Sequence, residues 1–155
     1  MSFDLPHFLP YLLNRAADAA SEEFQAHYRS RFGMLRTEWR VLFHLGCYGD
    51  MTAKQICDAS SIHKTKVSRA VRALERKRFV TRRTDTSDRR NEWLSLTRGG
   101  TAVFRELSKA AETYEARLLS DFDAEDRIRL RRALMKLANM PDTTSSDLAN
   151  ARKTG

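Results

Sequence analysis

The side chains best suited to chemistry in this chain are cationic and hydroxylic, and they are grouped. Between positions 63 and 83 stand nine Lys or Arg against a single acid, Glu75. At about 100° per residue, Thr65, Ser68, Arg69, Arg72 and Arg76 share one side of a helix, with Lys66 beside them. A second group, Arg89 and Arg90, follows Asp85 and Asp88 in a run rich in turn-forming residues. Cations unmatched by acid repel one another unless an anionic partner compensates, and nucleic acid is the usual one. Arg can fork onto guanine, and Ser or Thr can reach base edges or phosphates. This mixture therefore suits a helix lying in the major groove of double-stranded DNA.

Charge distribution sharpens the point. The formal net charge of +8 comes almost wholly from residues 34–97, which carry 14 basic and 7 acidic side chains; residues 1–33 carry 3 and 4, and residues 98–155 carry 11 and 9. Other chemistries find little support. His7, His27, His44 and His63 are scattered, and none pairs with Cys47 or Cys57 at the spacing of a structural zinc site, so neither metal nor cofactor is expected. Two cysteines make no disulfide framework. They are expected as small buried apolar residues, the alternative being a redox switch through Cys47 or Cys57. No nucleophile–base pair and no phosphate-cradling glycine loop occurs, so an enzyme is not expected.

The elements that must position these groups are legible from periodicity. After Pro10, Leu13, Ala16, Ala17, Ala20, Phe24 and Tyr28 trace one side of a helix that Gly33 stops. A second helix spans residues 37–47, with Trp39, Leu42, Phe43 and Leu45 on its apolar side. Thr52 and Gln55 have capping-box spacing before a short helix whose buried positions are expected at Ile56 and Ala59. In residues 63–77, Val67, Ala70, Val71 and Leu74 form an inward face opposite the cationic one. Residues 79–84 and 92–97 read as two strands of a hairpin with a charged tip between them. Arg98, Gly99 and Gly100 break the pattern. A long helix follows, with Val103, Leu107, Ala110, Ala111, Tyr114 and Leu118 on one face. Asp123 caps a last helix striped by Ile128, Leu130, Leu134, Leu137 and Ala138, and residues 141–155 read as a disordered polar tail.

Three helices and a hairpin, with positive charge on the third helix and the hairpin tip, match a winged helix-turn-helix. The expected class is mainly α with a small β-hairpin wing. A DNA-binding domain at 34–100 lies between dimerisation helices at 1–33 and 101–140. The apolar stripes of the terminal helices are too extensive for a small winged-helix core to cover, which argues for a twofold homodimer reading a pseudo-palindromic site. No run of about 18 apolar residues occurs, so no membrane span is expected. The first residues lack the basic start and apolar stretch of a secretory signal, so a cytoplasmic, nucleoid-associated location is expected.

Particular motifs resemble the MarR (multiple-antibiotic-resistance regulator) family. Asp85, Asp88, Arg89 and Arg90, followed by Leu96, Thr97 and Gly100 in the pattern Leu-Thr-x-x-Gly, resemble its wing signature. Thr65, Lys66, Val67, Ser68 and Arg69, then Leu74, Glu75, Val80, Thr81 and Arg82, resemble its recognition helix and the start of its wing. Trp39 to Leu42 resembles the start of its second helix. The likeness spans roughly residues 8–140. It implies that Arg90 reaches into the minor groove, that Asp88 orients the tip and that Arg89 lies near phosphate. Thr65, Ser68 and Arg69 would face the major groove, with Lys64, Lys66 and Arg72 near base edges or the backbone. One departure is clear: the family commonly has Gly where this chain has Arg78. Many members release DNA when a small aromatic or phenolic carboxylate binds, and Tyr11, Arg15, Arg40 and Phe43 are candidates to line such a pocket. A non-specific architectural or RNA-binding role is the competing class.

Overall fold

The computed structural model describes residues 3–141; the expected polar tail beyond Pro141 lies outside the described residues. A single 3-10 turn at Leu5–His7 precedes α1 (Leu9–Phe32), α2 (Arg36–Tyr48), β1 (Met51–Thr52), α3 (Ala53–Ser60) and α4 (Lys64–Arg76). Then come β2 (Val80–Thr84), β3 (Glu92–Leu96), α5 (Arg98–Leu118) and α6 (Ala124–Leu137). No helix among the described residues is long and apolar enough to cross a membrane. The described residues fall into two compact units, which divide after Tyr114.

In the first unit, α1 starts with a proline in its first turn and ends at Gly33, whose φ of 61° is the left-handed conformation glycine adopts without strain. The core gathers Phe24 and Tyr28 of α1, Val41, Leu42 and Leu45 of α2, Ile56 of α3, the inward face of α4, and Val103 and Leu107 of α5. Each fully buried aliphatic side chain there contributes about 1.5–3 kcal/mol. The hydroxyl of Tyr114 donates to the Ala20 carbonyl at 2.7 Å, joining α5 to α1. Three expectations are corrected. Ala59 is exposed, and Ser60 is the second buried residue of α3, its Oγ accepting from the Ile62 N–H at 3.3 Å. Cys47 is exposed and Cys57 only half-buried, so they are not both core residues. The Arg98–Gly100 segment does not break the chain but opens α5.

The hairpin belongs to a three-stranded antiparallel sheet in the order β1-β3-β2. Met51 and Thr52 pair with Leu94 and Trp93, adding a short outer strand that a two-residue segment does not announce by periodicity. Val80 and Leu94 turn inward and are buried. At the base of the hairpin the two ends of the chain cross closely. Arg78 stands at φ 60°, and its carbonyl accepts from the Thr97 hydroxyl at 2.7 Å. The same Thr97 oxygen accepts from the Gly100 N–H at 3.0 Å, capping α5. A Cβ on Gly100 would sit 1.9 Å from the Phe79 carbonyl oxygen, so only glycine fits.

The second unit contains the end of α5 and α6. The Asp123 side chain caps α6 by accepting from the Asp126 N–H at 2.8 Å, and Arg131 reaches Glu115 at 3.1 Å. No residue of α6 is buried, and Ile128, Leu134 and Leu137 are all exposed.

Two substitutions check the crossing at the base of the hairpin. Gly100→Ala, facing backbone rather than a flexible side chain, is expected to lower stability by about 2–4 kcal/mol in denaturant melts. Arg78→Gly relieves a left-handed arginine and is expected to raise stability by about 0.5–1 kcal/mol in the same assay.

Candidate nucleic-acid interface

The helix α4 is presented by what lies around its start. Ser61 turns the chain at φ 54°, Ile62 plugs into the core, and the His63 Nδ1 caps the helix by accepting from the Thr65 N–H at 3.3 Å. Val67, Ala70, Val71, Ala73 and Leu74 are buried. The opposite face leaves Lys64, Thr65, Lys66, Ser68, Arg69, Arg72 and Arg76 exposed. Helical periodicity alone dictates this split, because the apolar residues recur every three or four positions.

The structure sorts the cations of this region into two sets. Among the described residues, no carboxylate forms an ion pair with Lys64, Lys66, Arg69, Arg72 or Arg76. Lys77 differs: its Nζ lies 3.0 Å from the buried Glu38 Oε2, tying the end of α4 to the start of α2. Arg82 pairs with Glu75 and Glu92, and Arg83 lies 3.5 Å from Asp50. The outward face of α4 thus carries five cations without a carboxylate partner among the described residues, and Arg78 in the following turn is exposed in the same way.

The hairpin tip is built by two aspartates. Asp85 Oδ1 accepts from the backbone N–H of Ser87 at 2.9 Å and from its hydroxyl at 2.7 Å, while Oδ2 accepts from the Trp93 indole N–H at 3.3 Å. Hydrogen bonds from the Ser87 side chain and backbone, then from Trp93, hold the Asp85 carboxyl down at about 2. Asp88 Oδ1 accepts from the Arg90 backbone N–H at 3.0 Å, and the Asp88 carbonyl accepts from the Asn91 N–H at 3.0 Å. Arg89 and Arg90 are exposed, with no carboxylate partner among the described residues. Sequence reasoning singled out Asp88 and overlooked the share of Asp85. The signal was there: Asp85 sits two residues before Ser87, the spacing of an Asx-turn. It also overlooked Glu92, the second carboxylate on Arg82, because partners across a hairpin become visible only once the register is known.

The four residues considered for a ligand stand on two helices, Tyr11 and Arg15 on α1 and Arg40 and Phe43 on α2. Arg15 lines an open cavity of about 380 Å³ with Asp18, Ala19, Ser21, Glu22, Gln25 and Arg36. Tyr11 is half-buried on α1. Arg40 donates to the Ser60 carbonyl at 2.7 Å, and burial, then Arg36, pulls its pKa down. Phe43 lies in an aromatic row, 5.0 Å from Trp39 and 5.1 Å from Phe104 between ring centres. Within that row the buried Trp39 indole N–H has no hydrogen-bond partner among the described residues. Partial desolvation pushes the Cys47 thiol above its usual range, away from the reactive thiolate. No group of three or more His, Cys, Asp or Glu among the described residues is placed to hold a metal ion.

The sequence model of the MarR family matches residues 32–91. The chain is 31% identical over 96 residues to YwoH of Bacillus subtilis (strain 168), an uncharacterized HTH-type transcriptional regulator, covering 62% of this chain and 69% of that protein. It matches the crystal structure of a MarR/EmrR family transcriptional regulator from Acinetobacter sp. ADP1 with a TM-score of 0.80 and 27% identity, over 88% of this chain and 96% of that one. It shares its fold with Bordetella bronchiseptica BpsR, whose DNA binding is regulated by 6-hydroxynicotinic acid (TM-score 0.82, 20% identity, 91% and 100% covered).

The turn at Asp85 gives a pH dependence of defined sign. Its carboxyl is depressed from 3.8 to about 2, so its stabilisation of the tip is complete above 3.8 and is lost as pH falls toward 2. The indole N–H resonance of Trp93 is expected to titrate with a midpoint near 2 and to lose that titration in Asp85→Asn. A midpoint near 3.8 would break the link between this carboxylate and the turn.

Proposed function

The chain belongs to the MarR family of DNA-binding transcriptional regulators, and on that premise we propose that it is a homodimeric repressor of a pseudo-palindromic operator, released by a small aromatic carboxylate. In this reading α4 enters the major groove. Thr65, Ser68 and Arg69 face base edges, and Lys64, Lys66 and Arg72 lie beside them or on the backbone. The wing turns into the adjacent minor groove, where Arg90 inserts, Arg89 meets phosphate and Asp88 holds the tip. Two such units spaced about 34 Å apart would read two half-sites.

The observation that carries this reading is the sorting of charge. Among the described residues, cations facing outward from α4 and the tip lack carboxylate partners, whereas Lys77 and Arg82, on either side of the turn into the hairpin, are neutralised from within. Free guanidiniums on a helix of groove width and on a hairpin tip are what duplex DNA selects. Dimerisation through residues 1–33 and 101–140 is supported by apolar residues left uncovered in each unit. Leu5, Phe8, Leu9 and Leu12 are exposed in the first, and Leu118, Phe122, Ile128, Leu134 and Leu137 in the second. The ligand reading draws on two features. Arg15 and Arg36 supply cations at an open cavity, and Phe43 belongs to an aromatic row. An aromatic carboxylate is also the chemistry of 6-hydroxynicotinic acid, which regulates BpsR.

Fluorescence anisotropy on DNA upstream of its own gene, across a salt series, tests the reading. Wild type is expected to prefer an inverted repeat bound as one dimer, with log affinity falling at about 0.9 per phosphate contact against log salt. Arg90→Ala is expected to weaken operator binding by about 1–3 kcal/mol. Equal binding to scrambled DNA, unchanged by Arg90→Ala, would replace this reading with the architectural one.

A further inference from the structure

Glu75 is the one acid within the cationic stretch 63–83, and it turns away from the outward face of α4 toward the wing. Arg82, the third residue of β2, grips it with both arms of the fork: Nε donates to Oε1 at 3.0 Å and Nη2 to Oε2 at 3.1 Å. The remaining arm, Nη1, donates to Glu92 Oε2 at 2.5 Å. Arg82 pairs in register with Leu94, so Glu92 is its diagonal neighbour on the same sheet face. One guanidinium thus joins three elements: α4, β2 and β3. Exposed ion pairs are individually weak, but a bidentate fork inside a three-membered network is the geometry in which they hold shape.

The position of this network gives it a task. The eight residues from Glu75 to Arg82 contain the turn from α4 into the wing, with Arg78 in the left-handed conformation. Thr97 holds that turn by bonding the Arg78 carbonyl, and the Arg82 fork spans it from α4 to β2. We propose that Glu75, Arg82 and Glu92 form a strut that fixes the direction of the wing against α4, so that base reading by α4 and insertion of Arg90 occur in one register. Arg82 is then a positioning residue, not a phosphate contact. The inference rests on the reading of α4 and the wing given above.

A change of opposite sign separates the strut from plain electrostatics. Glu75→Gln removes a negative charge near the DNA face, so charge alone would tighten binding to every sequence. The strut gives another result. Binding to scrambled DNA stays level or tightens, while operator binding weakens about tenfold. The second readout is coupling. Arg90→Ala, which costs on the order of tenfold or more in the wild-type background, is expected to cost about twofold or less beside Glu75→Gln. Arg69→Ala keeps its full penalty in both backgrounds. General loss of stability would lower the Tm without selectively erasing the Arg90 penalty. Should Glu75→Gln fold poorly, Arg82→Lys keeps the charge, loses the fork and is expected to show the same selective coupling. Tighter operator binding by Glu75→Gln, or an Arg90 penalty equal in both backgrounds, overturns the strut while leaving the wing reading intact. An Arg90→Ala variant that binds the operator like wild type overturns both.

Discussion

The absence of room between the Phe79 carbonyl and Gly100 is the constraint on which the part of the molecule that carries α4 and the hairpin turns. A side chain there would place its Cβ 1.9 Å from an oxygen. The backbone can therefore leave α4, cross the start of α5 and run out along β2 only because position 100 is glycine. Thr97 completes the crossing by donating to the Arg78 carbonyl and accepting from the Gly100 N–H. A two-stranded hairpin is marginal by itself in water. This one has a pinned base and a third strand, β1, beside it. Any error at the base would be magnified at the tip, several residues further out, so the placement of the tip depends on the fit at Gly100.

Charge is organised on the same logic. Two cations that flank the hinge between α4 and the wing are answered inside the chain: Lys77 by Glu38, Arg82 by Glu75 and Glu92. Glu38 is buried, and its pairing with Lys77 avoids leaving an isolated carboxylate in the core. The cations further out, on the face of α4 and at the tip, are left open. Paired and open cations thus occupy different places in a segment that composition alone treats as one basic stretch.

This explains what was legible beforehand. The helices announced themselves because Val67, Ala70, Val71 and Leu74, or Val103 and Leu107, recur at helical spacing, and their burial followed. The capping box of Thr52 and Gln55 formed as its spacing implied. The outward residues of α4 were legible for the same reason, as the complement of a buried face. What escaped notice was non-local. The partners of Arg82 lie seven residues before it and ten after it, and Lys77 meets an acid thirty-nine residues away. Two glycines in a row read as a break, whereas Gly100 is required by contact with Phe79 and sits inside α5. Ala59 followed helical spacing yet stayed exposed, because α3 is eight residues long and has little surface to bury.

The start of α4 shows how local preference was overruled. Helices favour acids in the first turn, where unpaired N–H groups leave partial positive charge. The helix α6 obeys, with Asp123 as cap and Glu125 and Asp126 following. The helix α4 has no acid in its first turn, places Lys64 and Lys66 there and uses a histidine as its cap. Each choice works against an isolated helix. The helix stands because its opposite face is buried against α2 and α3, and burial outweighs a few tenths to about 1 kcal/mol of unfavourable end charge. Positive charge added to an already positive helix end lacks its counter-ion within the chain. A phosphate at that end would satisfy the open N–H groups and both lysines at once. The local rule fails in α4, whose stability comes from its buried face, and it holds in α6, where no residue is buried and the chain supplies the end charge itself.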